Sequence, residues 1–271
     1  MKKLLALFLV AAIVLCTFAG CKKTANVNAT TETQTTTTTT TTRTTEDLST
    51  TFKENYTNKV FAALAKDNGG SYPYEISTYK TYYDTKNKTR TVNIDNVVQK
   101  LDNLVIPVGS AFSFNQTVGK RTVLAGYEEA KVVQGDEFVD GLGGGICQVS
   151  STIFQAVLRA NMDITVRACH SLEISYVPLG ADATVQWNTQ DFQFENHSAS
   201  DIKLKVTASN GTLTCTVYAA SDIKPGNLKI DVKKDGDSYV LTRSVNGSVN
   251  YTTNSKYNKA KVTTTTTKKA N

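Results

Sequence analysis

Apolar residues recur along this chain in two periods, and the periods alternate. Over residues 47–66, Phe52, Tyr56, Val60, Phe61 and Leu64 fall on a helical spacing, and the GGSYP stretch at 69–73 ends the run. ISTYKTYYD, at 76–84, is rich in β-branched and aromatic residues and reads as a strand. Ile94, Val97, Val98, Leu101 and Leu104 return to a helical period and predict a helix over 93–103. LVIPVGSAFSFN, at 104–115, reads as a short strand, a Pro–Gly turn and another short strand. The segment 128–139 contains KVVQGDEFV and predicts a hairpin turning at Gly135 and Asp136.

The strongest helical pattern lies at 146–162. Ile146, Val149, Ile153, Phe154, Val157 and Leu158 make a broad apolar face, and Asn161 is a plausible stop. Six strand-like runs follow: DITVRA, LEISYV, ATVQW, FQFEN, IKLKVTA and LTCTVYA. Their alternation and intervening turn residues predict a twisted antiparallel sheet or a partial barrel. LKIDVKKDGDSYVLTRSVNG, from residue 228, adds a small β unit at 223–260. The predicted class is α+β, with a central helix carrying a cysteine at its N-terminus and a small C-terminal β unit.

The chain ends differ in kind from this middle. MKKLLALFLVAAIVLCTFAGC opens with two lysines, continues as an apolar run and closes on Ala19-Gly20-Cys21. That order is a secretory signal over residues 1–20, and Phe18-Ala19-Gly20-Cys21 resembles a bacterial lipobox in which Cys21 takes the lipid. Residues 21–51 are dominated by threonine and hold too little apolar surface to offset the entropy of ordering, so they read as a disordered tether. KVTTTTTKKAN places a second disordered tail at 261–271. One domain is left over 52–222, beginning with the helix predicted near its start, and the β unit follows it. The localisation implied is the extracellular face of the cell membrane, lipid-anchored.

Charge narrows the partners. The formal charge of +6 falls to +4 once Lys2 and Lys3 leave with the signal. No dense Lys/Arg block is present of the kind nucleic-acid binding needs. No CxxC or HxxxH spacing marks a metal site, and no cofactor is implied.

Cysteine count changes the picture more. With Cys21 committed to lipid, Cys147, Cys169 and Cys215 remain, an odd number for a secreted chain. GLGGGICQVSST, at 141–152, places Cys147 where a glycine-rich turn meets the predicted helix. Unpaired N–H groups and the helix dipole stabilise a thiolate there. The glycines permit a close backbone approach and leave N–H groups for a developing oxyanion. A thiol nucleophile needs a base, and the chain has two histidines, His170 and His197. His170 lies between two predicted strands, whereas His197 lies in the turn ENHSASD, so His170 is the candidate base. Asp182 or Ser171 would orient it, with Asp182 ahead. Ser151 sits one helical turn from Cys147. A buried structural cysteine, a disulfide from Cys147 to Cys169 or Cys215, and Cys169 as the nucleophile are the competing readings.

FSFNQTVGKRT, AGYEEAKVV, GGGICQVSSTIFQAVL, CHSLEISYVPLGADATV and DFQFEN occur in this order between Ser77 and Ala219, and together they resemble the VanW domain family. Members belong to Gram-positive bacteria and are associated with the cell envelope, and some are understood to be peptidoglycan L,D-transpeptidases with a cysteine nucleophile. The resemblance puts that cysteine at Cys147 and the histidine of the second block at His170. Its arginine, tyrosine and aspartate fall at Arg121, Tyr176 and Asp182. Cys169 departs from the pattern, since relatives often carry proline or another residue there.

With the resemblance, Cys147, His170 and Asp182 form the expected catalytic set and Arg121 and Tyr176 the expected substrate-binding residues, to which the helix face adds Ser151 as a further substrate-binding candidate. The implied partners are peptidoglycan stem peptides, together with the membrane through the lipid on Cys21. Two readings compete: a non-catalytic envelope protein that binds wall fragments or a partner, in which Cys147 is structural, and a carboxypeptidase or hydrolase that uses the same nucleophile with water as acceptor. The lipobox is testable directly. Metabolic labelling with a fatty acid is expected to mark the wild-type chain and to leave Cys21→Ser unlabelled and in the medium.

Overall fold

The computed structural model describes residues 64–66 and 69–259. The chain divides into two units, Met1–Arg43 and Thr44–Asn271, and every described residue belongs to the second. The signal, Cys21, the threonine tether and the tail at 261–271 lie outside the described residues. Of the helix predicted over 47–66, only 64–66 are described. These are not helical, because Lys66 pairs with Leu104 as an antiparallel bridge.

The described unit is α+β, built on several antiparallel sheets. Strands β1 (Tyr74–Tyr82), β2 (Leu104–Ile106), β8 (Ile202–Ser209) and β9 (Thr212–Ala219) form a four-stranded sheet in the order β1-β9-β8-β2. β3 (Ala111–Ser113), β6 (Asp163–Val166) and β7 (Gln193–Glu195) form a second sheet in the order β3-β7-β6. β4 (Glu129–Gln134) and β5 (Glu137–Leu142) form the hairpin predicted at Gly135–Asp136, with Gly135 at a φ of 60°. The C-terminal unit is an antiparallel meander of β10 (Leu228–Asp235), β11 (Ser238–Val245) and β12 (Ser248–Lys256). The expected twisted antiparallel sheet or partial barrel is here divided into several antiparallel sheets, and no closed barrel forms among them.

The physical reason lies in two of the predicted strands. LEISYV and ATVQW do not join a sheet. They make only isolated bridges, Leu172 to Asn258, Ala168 to Thr184 and Gln186 to Gln190. Their neighbourhood is tied to side chains instead: the His170 N–H donates to Asp182 Oδ2 at 2.7 Å, and the Ala183 N–H donates to Ser151 Oγ at 2.9 Å. Backbone groups satisfied this way have no need of a ladder.

Helix α1 (Lys88–Leu101) starts a turn before the apolar period does. Asn87 caps it by accepting the Arg90 N–H at 3.1 Å, and its first turn, KTRT, carries no apolar signal to read. A five-residue helix α2 (Phe114–Val118), capped by Ser113, replaces the end of the second strand expected in LVIPVGSAFSFN. Helix α3 (Ile146–Arg159) is followed by Asn161 at a φ of 62°. α1 and α3 bury their apolar residues against the four-stranded sheet and an aromatic cluster of Phe112, Phe154, Phe192 and Phe194.

Polar side chains fix α3 as firmly as apolar ones. Gln148 Nε2 donates to Thr81 Oγ1 at 3.0 Å and to the Tyr82 carbonyl at 2.9 Å, which ties the helix to β1. Ser150 Oγ donates to the Ala183 carbonyl at 2.6 Å, and Gln155 Nε2 to the Ala181 carbonyl at 2.7 Å. At the far end Arg243 of β11, only 1% exposed, donates to the carbonyls of Leu158 at 3.2 Å and Met162 at 2.8 Å. A cation there meets the negative end of the helix and satisfies carbonyls that the helix leaves over.

Gly144 shows why the turn before α3 is built of glycine. A Cβ at this position would lie 2.7 Å from the Ala130 backbone carbon and from the Lys131 oxygen, both in β4. The Gly144 carbonyl is held by Asn93 Nδ2 at 3.0 Å. Gly144→Ala therefore forces the turn off β4 and is expected to lower stability by about 1–3 kcal/mol, as overpacking does. Urea denaturation followed by circular dichroism measures this.

Candidate active site

From Gly143 to Leu158 every residue is buried except Cys147, which is half-buried. The second residue of α3 is thus the point at which this helix reaches a cavity of about 470 Å³. Gly145 forms the helix start at a φ of 108°, a conformation that suits glycine, and brings the turn against Arg90 and Ile94 of α1. Three N–H groups of the loop are already used: Gly143 N–H bonds the Glu128 carbonyl, Ile146 N–H that of Gly143, and Gln148 N–H that of Gly145. Those three are not oxyanion donors, which narrows the expectation for this loop.

The thiol meets Thr184 Oγ1 at 3.5 Å and the Val185 carbonyl at 3.4 Å. Both come from the irregular 183–187 segment, so the loss of that predicted strand is what brings it over the sulfur. Burial by itself would raise the Cys147 pKa. The hydrogen bond and charge of His170 outweigh it, with help from Thr184 and Val185, and bring the thiol down to about 7.

His170 is 5% exposed and its ring is fixed on both sides. Nδ1 lies 2.6 Å from Asp182 Oδ2, and Nε2 lies 3.3 Å from the Tyr176 hydroxyl. With Nδ1 committed to Asp182, Nε2 is the nitrogen left to serve the thiol. Burial works against the charged ring, but Asp182 and Cys147 more than compensate and raise its pKa to about 10. Each group thus favours the charged form of the other, a thiolate beside an imidazolium.

Asp182 is completely buried, and both its oxygens are engaged. Oδ2 takes the His170 ring and the His170 N–H, while Oδ1 takes Arg167 Nη2 at 3.1 Å and the Tyr257 hydroxyl at 2.6 Å. Burial alone would favour the neutral acid, yet His170, Arg167 and Tyr257 hold the carboxyl below its ordinary value. Ser171, the other candidate for this role, donates to the Gly135 carbonyl instead.

The remaining candidates separate. Tyr176 and Arg121 both line the cavity. Arg121 Nη1 is steadied by Asn115 Oδ1 at 2.6 Å and the Gly119 carbonyl at 3.1 Å. Ser151 is fully buried away from the cavity, and its hydroxyl donates to the carbonyls of Cys147 at 2.7 Å and Ala183 at 3.2 Å. It holds the helix and the 183–187 segment together. His197, more than half exposed, bonds Asp163 and Glu195 outside the cavity. Cys147, Cys169 and Cys215 are free thiols in the structure. Cys169 faces the Lys256 carbonyl at 3.8 Å and does not line the cavity. Cys215 is sealed in β9, where burial pushes its thiol well up. Among the described residues no group of three or more His, Cys, Asp or Glu is placed to hold a metal ion.

Sequence reasoning missed Arg90, Lys120 and Lys131, which line the same cavity as Arg121. Among the described residues no carboxylate lines it, so its walls are cationic, with Phe138 and Trp187 supplying apolar surface. Arg90 donates to Gln148 Oε1 at 2.7 Å and lies close enough to Cys147 and Tyr176 for their charges to act on it. Nothing local in KTRTVNID marks it. It becomes a site residue because α1 packs across the glycine turn.

The site's ionisation gives a measurable outcome. Iodoacetamide alkylation of Cys147 is expected to rise through a midpoint near pH 7, with Cys215 unreactive until the protein unfolds. His170→Ala leaves burial unopposed by the imidazole, so the Cys147 midpoint is expected to move upward. Mass spectrometry of digests across a pH series reads all three.

Residues 89–218 match the family described as VanW like protein. The chain is 40% identical over 156 residues to the uncharacterized protein YoaR of Bacillus subtilis, covering 58% of this chain and 52% of that one. It is 24% identical over 169 residues to the vancomycin B-type resistance protein VanW of Enterococcus faecalis, covering 60% of this chain and 56% of that one. The chain thus spans about half the length of these curated relatives. No solved structure matches it. Cys147, His170, Asp182, Arg121 and Tyr176 all fall inside the matched region, so residues 89–218 form a VanW-like region that holds the candidate site.

Proposed function

We propose that this chain is a cell-wall-associated protein acting as a cysteine L,D-transpeptidase on peptidoglycan stem peptides, held at the extracellular face of the membrane by a lipid on Cys21. The observation that supports the chemistry is the relay from Cys147 through His170 to a buried Asp182, opening onto a cavity with cationic walls. Stem peptides carry carboxylates, and Arg90 and Arg121 offer planar donors suited to them.

In this reading the Cys147 thiolate attacks the carbonyl carbon of the amide between diaminopimelate and terminal D-alanine. A carbon–sulfur bond forms, and the carbonyl π electrons move to oxygen. As the oxyanion collapses, the carbon–nitrogen bond breaks and the His170 imidazolium protonates the departing amine. A thioester and free D-alanine result. The side-chain amine of a second stem then attacks the thioester carbonyl, neutral His170 accepts its proton, and the thiolate leaves. The product is a 3-3 cross-link and the resting ion pair. Asp182 keeps Nδ1 engaged throughout, so that Nε2 faces the reacting atoms.

Incubation of the purified protein with tetrapeptide muropeptides, followed by mass spectrometry, tests this. Cross-linked dimers with loss of D-alanine are expected. Trimmed monomers alone would make water the acceptor, and unchanged substrate would overturn the reading. Cys147→Ala is expected to abolish turnover. Asp182→Asn is expected to lower it by about 10²–10⁴, in line with losing oriented acid–base catalysis.

A further inference from the structure

The family match ends at residue 218, yet the catalytic candidates are not complete without residues beyond it. Tyr257 follows the last strand of the C-terminal meander, and its hydroxyl donates to Asp182 Oδ1 at 2.6 Å. The same hydroxyl accepts the Gly180 N–H at 2.7 Å. It therefore pins both the carboxylate and the turn that carries it. Its phenol stays protonated, because burial and the neighbouring Asp182 charge both push its pKa up. Tyr257 is thus a permanent donor in this position.

The rest of the meander secures the contact. Arg167, the other donor to Oδ1, also donates through Nη1 to the Asn254 carbonyl at 3.2 Å and to Thr253 Oγ1 at 3.4 Å on β12. The Tyr257 ring packs on that of Tyr239 with centroids 5.9 Å apart. Arg243 locks the meander onto the end of α3. The small β unit is therefore joined at one end to the helix that carries the nucleophile and at the other to the carboxylate that orients the base.

We propose that Tyr257 is a positioning residue for the Cys147–His170–Asp182 relay, and that the C-terminal meander completes this site by delivering it. The inference rests on the catalytic reading of Cys147. Without the hydroxyl, Oδ1 is held by Arg167 alone and the Gly180 N–H loses its acceptor. The carboxylate then keeps three of its four donors, and its rotation about the Cβ–Cγ bond, and with it the alignment of Oδ2 on Nδ1, is held less tightly. The thiolate–imidazolium pair should become less populated as a result.

The test uses the full-length chain, needs no peptidoglycan, and compares wild type with Tyr257→Phe, which removes one oxygen. Iodoacetamide alkylation at Cys147 near neutral pH is expected to slow about tenfold, the low end of what losing an outer partner costs an oriented histidine. The Nδ1 proton resonance of His170, read by ¹⁵N-histidine NMR, is expected to broaden or vanish. The chain holds only two histidines, so the signal is assignable with His170→Ala. Asn250→Ala supplies the control. It removes bonds to Arg243 Nε at 2.9 Å and Asn161 Oδ1 at 2.8 Å, weakening the meander's attachment without touching Asp182. It is expected to lower the melting temperature and leave both readouts unchanged.

In an Asp182→Asn background, Tyr257→Phe should have no further effect on alkylation, because the two groups act as one unit. Wild-type rates and an intact Nδ1 signal in Tyr257→Phe would overturn the proposal. So would equal losses in Asn250→Ala, or an undiminished effect beside Asp182→Asn. A wild-type Cys147 inert at every pH would instead remove the catalytic reading on which this one rests.

Discussion

The structure around the cavity depends on one buried carboxylate. Asp182 has no exposure to water, and an ionised carboxylate in that setting persists only if its oxygens are satisfied by donors and by positive charge. The fold brings four donors to it: the His170 ring, the His170 N–H, Arg167 and Tyr257. Each comes with a structural consequence. The His170 N–H bond spends a backbone group that a β-ladder would otherwise claim. Arg167 sets the chain after β6 against the C-terminal meander. Tyr257 requires the meander to dock. A single desolvated charge thereby explains irregular backbone, an inter-element contact and the orientation of a histidine.

The thiol is arranged by the opposite device, a helix whose polar residues face inward. Gln148, Ser150, Ser151, Thr152 and Gln155 are buried, and they spend hydrogen bonds on β1, on neighbouring backbone, on the 181–185 stretch and, at Gln148, on Arg90 of α1. These bonds hold the helix and that stretch at a fixed spacing, with Thr184 and Val185 against the sulfur. The serines next to the cysteine are structural for this reason. Their proximity in sequence invites a role in substrate binding, but their burial leaves nothing for a substrate to touch. Cationic residues on the far side of the cavity arrive from α1, the 120–121 loop and β4, three elements with no sequence relation to one another. Lys131 is paired with Asp140 at 3.0 Å, while Arg90 and Arg121 bring positive charge to the cavity wall, a field that favours an anionic ligand.

Sequence by itself determined the parts of this protein that are local. Period and turn residues marked β1, the hairpin at Gly135–Asp136 and the strands of 202–219, because β-branched and aromatic runs bounded by turn residues pair with near neighbours. Chemistry of residue types marked Cys147 after its glycines and preferred His170 and Asp182 to their rivals. Tertiary structure decided everything that needed two distant segments at once. LEISYV and ATVQW carry the composition of strands, but the chain around them is held by the His170 N–H on Asp182 and the Ala183 N–H on Ser151 and makes only isolated bridges, so composition misled. α1 begins at Lys88 because of a side-chain cap, which apolar periodicity does not register. Arg90 and Tyr257 lie on either side of the motif blocks and look like ordinary surface residues in sequence. Helix packing carries Arg90 to the cavity beside a half-buried thiol, and the docked meander carries Tyr257 to a buried carboxylate, where desolvation makes each hydrogen bond count.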